Sequence, residues 1–315
     1  MGCEKSVVKY SLFVLVQCAA AAGLYGQQMP QISHYMFTPQ MYNPASIGFS
    51  NNILASLVHR QQWYGMEGAP QTTVVSFDAP LKMVRSGIGL NIANDQTGGV
   101  LSTTAIQLAY NYQLPFLDGT LSLGLQAGVN NSGLKLSNIK APETSSDSKF
   151  QDKTNASDFL FDVSTGFYYQ VLDQYEVGIS LNNINQPESS DLNYKQRRCL
   201  TLSGNYHFNL DQFPKVDFVP SMFIKSDFSA TQMDLSLIGV YEKQYWGGVS
   251  CRIGEVVFMG GLFIKQIQVG VAYDVATSWM FKTSKVGGSL EIFARYAFNL
   301  SVDRFPQSYK NSRYL

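Results

Sequence analysis

Three segments in the first half of the chain place an apolar residue at every second position. Ile88, Leu90 and Ile92 alternate with Gly87, Gly89 and Asn91. Ile106, Leu108, Tyr110, Tyr112 and Leu114 alternate with Gln107, Ala109, Asn111 and Gln113. Leu121, Leu123, Leu125, Ala127 and Val129 alternate with Ser122, Gly124, Gln126, Gly128 and Asn130. A period of two is the period of a β-strand. On a soluble sandwich the polar face meets bulk water and should carry Lys, Glu and Thr. Here it carries Gly, Asn, Gln and Ser, which suit a crowded, enclosed interior. The apolar face is therefore expected to point outward into lipid, the inverted arrangement of a membrane barrel.

Further alternating segments cover 159–170, 175–182, 199–208, 218–225, 233–241, 245–253, 256–264, 267–274 and 290–300, with weaker ones at 53–63 and 72–79. The sum predicts an all-β transmembrane outer-membrane β-barrel of about fourteen antiparallel strands. In the segment from Phe159 to Tyr169, aromatic residues stand at both ends of one face and smaller ones in the middle. Ten tilted residues rise about 25 Å, the height of a lipid-facing band with two aromatic girdles. The long, turn-rich connections, 131–158, 183–198 and 275–288, all fall on one side of the strand alternation, and the short turns fall on the other. Outer-membrane barrels have long loops outside and short turns in the periplasm. With an even number of strands, both ends of the chain are then expected in the periplasm.

Lys5 and Lys9 followed by an apolar run and small residues read residues 1–26 as a cleaved secretory signal peptide. Residues 27–52 are expected as a periplasmic N-terminal segment, 53–301 as the barrel and 302–315 as a periplasmic tail. That tail joins Arg304, Lys310 and Arg313 to Phe305, Tyr309 and Tyr314, residue types enriched at protein interfaces. Formal charge is zero, with 23 basic and 23 acidic residues and no basic block, which gives no nucleic-acid footprint. The predicted register turns Cys199 inward and Cys251 outward, so both are expected as free thiols.

The predicted inner face collects Asp162, Glu176, Lys225, Asp234, Arg252, Asp274, Glu291 and Arg295. Charges of both signs in a confined lumen should pair, because an unpaired buried charge is costly, forming a network that braces the barrel or holds a plug; a site for a solute or peptide is the alternative. None of the three histidines, His34, His59 and His207, stands in a zinc-binding spacing. Nucleophile, P-loop and dinucleotide motifs are absent, and a lone inward His207 beside Ser203 and Asn205 reads as a hydrogen-bonded lumen residue. The expectation is a non-enzymatic protein with no catalytic site, metal or cofactor.

The most specific stretch lies between the signal peptide and the strands. It contains Ser33-His34-Tyr35, Asn43-Pro44-Ala45 with Gly48, and Arg60-Gln61-Gln62-Trp63 with Gly65, Gly68, Ala69, Pro70 and Thr72. Later come Gly178 to Asn183 with Pro187, Pro220-Ser221, Trp246-Gly247-Gly248 with Arg252, and Gly270 with Ala272-Tyr273-Asp274. These motifs resemble the PorP/SprF family, outer-membrane proteins of the type IX secretion system and gliding machinery of Bacteroidota. One departure is Gly288-Ser289-Leu290-Glu291, where the family favours a His before the Glu. The resemblance implies a component that supports export or surface attachment of cargo proteins. It implies as partners outer-membrane lipids, secreted cargo, and periplasmic ring, lipoprotein or peptidoglycan-binding members of the machine. The rival reading is a passive porin or solute transporter.

Overall fold

The computed structural model describes residues 29–134, 156–189, 194–277 and 287–299. Fourteen wall strands form one closed antiparallel barrel. They are β1 (Ile53–Gln61), β2 (Gln71–Leu81), β3 (Ser86–Thr97), β4 (Leu101–Phe116), β5 (Gly119–Leu134), β6 (Ala156–Val171) and β7 (Tyr175–Asn182). The second half comprises β8 (Cys199–Tyr206), β9 (Val216–Ser226), β10 (Thr231–Tyr241), β11 (Tyr245–Arg252), β12 (Glu255–Ile264), β13 (Ile267–Ala276) and β14 (Ser289–Phe298). Each strand pairs with the next, and β14 closes the ring against β1 in the register Arg60 opposite Glu291. A two-residue extension, Phe208–Asn209, pairs with the start of β9, and a small hairpin joins Glu188–Ser189 to Tyr194–Lys195. No helix among the described residues is long and apolar enough to cross a membrane.

The alternation that predicted the strands also sorts the two faces. On β5, Leu123, Leu125 and Val129 are exposed on the outer surface, whereas Ser122, Gln126 and Asn130 are buried inside. On β4, Ile106, Leu108, Tyr110 and Tyr112 face out and Asn111 is fully enclosed. Outward apolar and inward small polar residues are the arrangement a barrel needs in lipid. Cys199 is buried and Cys251 exposed, and both are free.

The alternation of strands and connections defines two ends. The connections 62–70, 98–100, 183–198, 227–230 and 253–254 lie at the same end as those containing the undescribed residues 135–155 and 278–286. We call this the long-loop end. Turns 117–118, 172–174, 242–244 and 265–266 lie at the other, the short-turn end, where β1 begins and β14 stops. The expected signal peptide and the expected tail from 302 lie outside the described residues.

Inside the barrel lies the stretch expected to be free in the periplasm. Residues Ile32 to Ile47 are mostly buried, and three single-turn 3-10 helices, Tyr35–Phe37, Pro39–Met41 and Pro44–Ser46, fold them compactly. The segment enters at the long-loop end, where Lys225 Nζ donates to Met29 O at 3.2 Å and Cys199 Sγ lies 3.8 Å from Met29 Sδ. It leaves near Gly48, whose N–H donates to Asp78 Oδ1 at 3.2 Å, and then starts β1 at the short-turn end. The expectation of a periplasmic N-terminal segment over 27–52 is corrected for the described part: residues 29–48 lie within the barrel lumen. A segment without a strand or helix repeat carries carbonyls that need partners once buried, and the lumen supplies them.

Candidate functional site

The seat of this internal plug is built from the inward Gly, Asn, Gln and Ser of the wall. Asn111 Nδ2 donates to Ala45 O and Ile47 O at 2.9 and 2.7 Å, and Asn91 Nδ2 donates to Gln40 O at 3.0 Å. Ser180 Oγ and Asn182 Nδ2 both donate to Tyr42 O, at 2.8 and 3.1 Å. Asn43 works in both directions. Its Oδ1 accepts from Ala45 N–H at 2.9 Å, capping the turn that Pro44 opens, and its Nδ2 donates to Phe167 O at 2.9 Å. Two wall glycines make the approach possible. A Cβ on Gly124 would stand 2.3 Å from Ala45 N, and one on Gly166 2.1 Å from Asn43 Oδ1.

At the long-loop end the plug is locked by charge. Glu291 of β14 accepts from the backbone N–H of Ser33 and His34 at 2.7 and 2.9 Å. The same carboxylate lies 2.6 Å from His34 Nδ1 and 3.1 Å from Arg60 Nη1. Arg60 Nη2 also binds Asp274. Arg252 reaches Asp274 at 3.3 Å, Asp234 at 3.4 Å and Glu255 at 3.3 Å. Ser33 Oγ accepts from both arginines at 3.0 Å, and Gln31 Nε2 donates to Asp234 at 2.7 Å. Five strands, β1, β10, β11, β13 and β14, thus converge on Gln31, Ser33 and His34. Arg60 and Glu291 are each at most 1% exposed, and the arrangement fastens the plug to the wall. Breaking such a buried set by removing one partner costs about 3–5 kcal/mol, because the opposite charge is left uncompensated.

Aromatic packing completes the lock. The His34 ring stacks on Phe293 at 5.3 Å and meets Trp246 edge-on at 5.6 Å, and Phe37 lies 4.7 Å from Trp246. Tyr35 and Tyr42 pack on Phe223 at 5.1 and 4.6 Å, and the Tyr35 hydroxyl lies 2.9 Å from Ser236 Oγ.

The predicted site residues divide. Tyr35, Asn43, Pro44, Ala45, Gly48, Arg60 and Asp274 meet in the plug and its seat. Trp63, Gly65 and Pro70 lie in the β1–β2 connection, and Tyr273 faces outward, its hydroxyl accepting from Gly288 N–H at 3.2 Å. The predicted lumen charges stand at several places in the barrel. Asp234, Arg252 and Glu291 join the lock and Lys225 holds Met29. Asp162 accepts from Gln107 at 3.1 Å on the β6 wall, while Glu176 accepts from Tyr168, Gln170 and Asn205. Arg295 donates to Ser56 Oγ at 3.2 Å, apart from the lock. Ser33, His34 and Trp246 were visible as motif residues but not as partners in the lock, and Gln31 and Phe293 carried no such signal. Leu290, at the departure from the family pattern, lies on the opposite face of the strand from Glu291. Among the described residues no group of three His, Cys, Asp or Glu is placed to hold a metal ion.

Beneath the plug, at the short-turn end, the lumen widens into a vestibule of about 950 Å³. Met36, Phe37, Pro39 and Gln40 of the plug line it, together with strand ends bearing Asp78, Glu176, Asn205, Gln268 and Arg295. His207, expected on a strand, stands instead just past β8, where it lines this space.

A family model, "Type IX secretion system membrane protein PorP/SprF", matches residues 24–296. No curated protein matches the chain significantly. Among solved structures, the CymD monoaromatic hydrocarbon channel is 11% identical with a TM-score of 0.51, over 84% of this chain and 93% of that one. The Pseudomonas putida toluene transporter TodX is 10% identical with the same TM-score and coverage. At this identity the likeness is one of barrel fold alone.

Proposed function

We propose that this chain, which belongs to the PorP/SprF family of type IX secretion system membrane proteins, is a closed, non-enzymatic outer-membrane component supporting export or surface attachment of cargo proteins. Its long loops face the cell exterior, and its short-turn end faces the periplasmic members of the machine and, where the host glides, serves that apparatus too. Residues 1–26 are removed as a signal peptide during export.

The observation that carries the reading against a passive channel is the occupied lumen. The plug fills the section between the long-loop end and the vestibule, and its backbone carbonyls are bonded to the wall. A barrel of fourteen strands is already narrower than the 16–18 strands of open porins. A polypeptide seated by buried ion pairs leaves a scaffold rather than a conduit.

The test has two arms. Purified protein in planar bilayers is expected to show little conductance, whereas a variant lacking residues 29–50, if folded, conducts. Deleting the gene from its host is expected to leave cargo inside the cell or shed into the medium, with restoration by the intact gene. Steady ohmic conductance of the wild type, combined with normal cargo display in the deletion strain, would establish a porin instead.

A further inference from the structure

The vestibule has chemistry that the plug does not use. Its lining carries four carboxylates, Asp78, Asp173, Glu176 and Asp217, against two cations, Arg295 and Lys243. These charges are segregated. Asp173, Glu176 and Asp217 stand on the sector from β6 to β9, whose lining residues include no Lys or Arg, whereas Arg295 stands on β14 and Lys243 on the β10–β11 turn. Glu176 is served by three neutral donors, Tyr168, Gln170 and Asn205. Among the described residues none of the three acids of this sector is ion-paired. Like charges gathered on one wall of a cleft make a negative potential that favours a cation.

A second, independent observation points to an occupant. Gln268 of β13 lines the same cavity and is 6% exposed, yet its Nε2 has no hydrogen-bond partner among the described residues. A buried donor left unbonded is costly, and a carboxamide offers the donor and acceptor that a peptide group can meet. Aromatic surface completes the lining: Phe37 of the plug, edge-on to Phe263 of β12 at 6.5 Å, and Phe208 just past β8. An extended chain sends alternate side chains to opposite sides, so one that alternates basic with aromatic residues meets acids and rings together and leaves its backbone to the amide. We propose that the vestibule is the docking site for a segment of a partner polypeptide that alternates Lys or Arg with Tyr or Phe, held by Asp173, Glu176 and Asp217, with Gln268 bonding its backbone. The volume of about 950 Å³ is that of a ligand site. That the partner is periplasmic rests on the proposed orientation of the short-turn end, whereas the chemistry of the site does not.

The experiment uses the full chain folded in detergent and checked by heat-modifiable mobility, so its failure leaves standing the secretion reading, which conductance and gene deletion test. The probe is an end-blocked fluorescent octapeptide alternating Lys with Tyr, followed by anisotropy. Saturable binding to the wild type is expected, and about tenfold weaker binding for the same peptide with Glu in place of Lys or Ser in place of Tyr. Asp173→Asn combined with Asp217→Asn should weaken binding about tenfold, and Asn tolerates the left-handed backbone that Asp173 adopts at φ 59°. Gln268→Leu should weaken it about fivefold without loss of folded barrel, since the change removes the unbonded donor. Absence of saturable binding, equal binding of the Lys and Glu peptides, or unchanged binding by the double Asn variant overturns the proposal. Displacement by spermidine at concentrations as low as those of unlabelled peptide also overturns it and assigns the cavity to small polycations. Should the variants fail to fold, a photoreactive benzoylphenylalanine at one Tyr position decides on the wild type. Cross-links to Phe208, Phe263 or their neighbours in the vestibule support the site, and cross-links confined to the outer wall or the long-loop end overturn it.

Discussion

The two ends of the lumen solve opposite problems. At the long-loop end five strands deliver Arg60, Arg252, Asp234, Asp274 and Glu291 to one point, and every charge is met by another charge or by a hydrogen bond from Gln31, Ser33 or His34. At the short-turn end Asp78, Glu176 and Arg295 stand around a cavity with no ion pair among the described residues. Charge count does not distinguish the ends, since both are rich in ionisable groups. What distinguishes them is whether a polypeptide is present to organise those groups. The filled end is a fastening, and the hollow end leaves its ionisable groups lining a cavity.

The comparison is broken most severely at the lock. Glu291→Ala removes the acceptor shared by Ser33, His34 and Arg60 and is expected to cost about 3–5 kcal/mol, read as a lower yield of heat-resistant folded barrel and release of the plug to protease. A matched change at the hollow end sets the contrast. Ser180 lies under the plug and bonds Tyr42 O, so Ser180→Arg should cost at least as much as the outward Ile179→Arg, about 2–4 kcal/mol. Gln170→Arg, facing the vestibule, should stay within about 0.5 kcal/mol in the same unfolding assay. Equal losses at Ser180 and Gln170 would mean that the plug does not occupy its seat.

Smaller effects probe the seat itself. Gly124→Ala drives a methyl group into Ala45 and should destabilise by about 1–3 kcal/mol, with a compensating shift detectable as faster hydrogen exchange in residues 43–47. Asn43→Ala loses the cap and the bond to Phe167 O, at about 1–2 kcal/mol, again measured by thermal unfolding. At the exposed rim, the Lys215–Glu242 pair at 2.5 Å is held in water, and Lys215→Ala should leave the unfolding temperature unchanged.

The wall was legible because its repeat is local: Leu121 to Val129 announce their faces without reference to any other strand. The inner face was legible in kind as well, since Gly, Asn, Gln and Ser at inward positions describe an enclosed space. Its occupant was not. Residues 29–50 have no period, and every bond that seats them reaches a distant part of the chain, as from His34 to Glu291, 257 positions away. Asn111 in a strand looks the same whether it bonds water or the carbonyls of Ala45 and Ile47. The inward charges were legible as a set but not their partners: only the plug separates those that pair, such as Arg252 and Asp234, from those that line the vestibule, such as Glu176 and Arg295.

The seam between β1 and β14 carries a consequence for assembly. Arg60 and Glu291 are direct cross-strand neighbours at that seam, and they also hold Ser33 and His34 of the plug. Closing the ring and fastening the plug are therefore one event, in which the earliest and latest parts of the polypeptide must arrive together. Contacts this distant in sequence form slowly, so sealing the seam is expected among the late steps of folding. A barrel that closes without its plug leaves Arg60 and Glu291 without their third partner, and so the finished wall carries its own check that the interior was filled first.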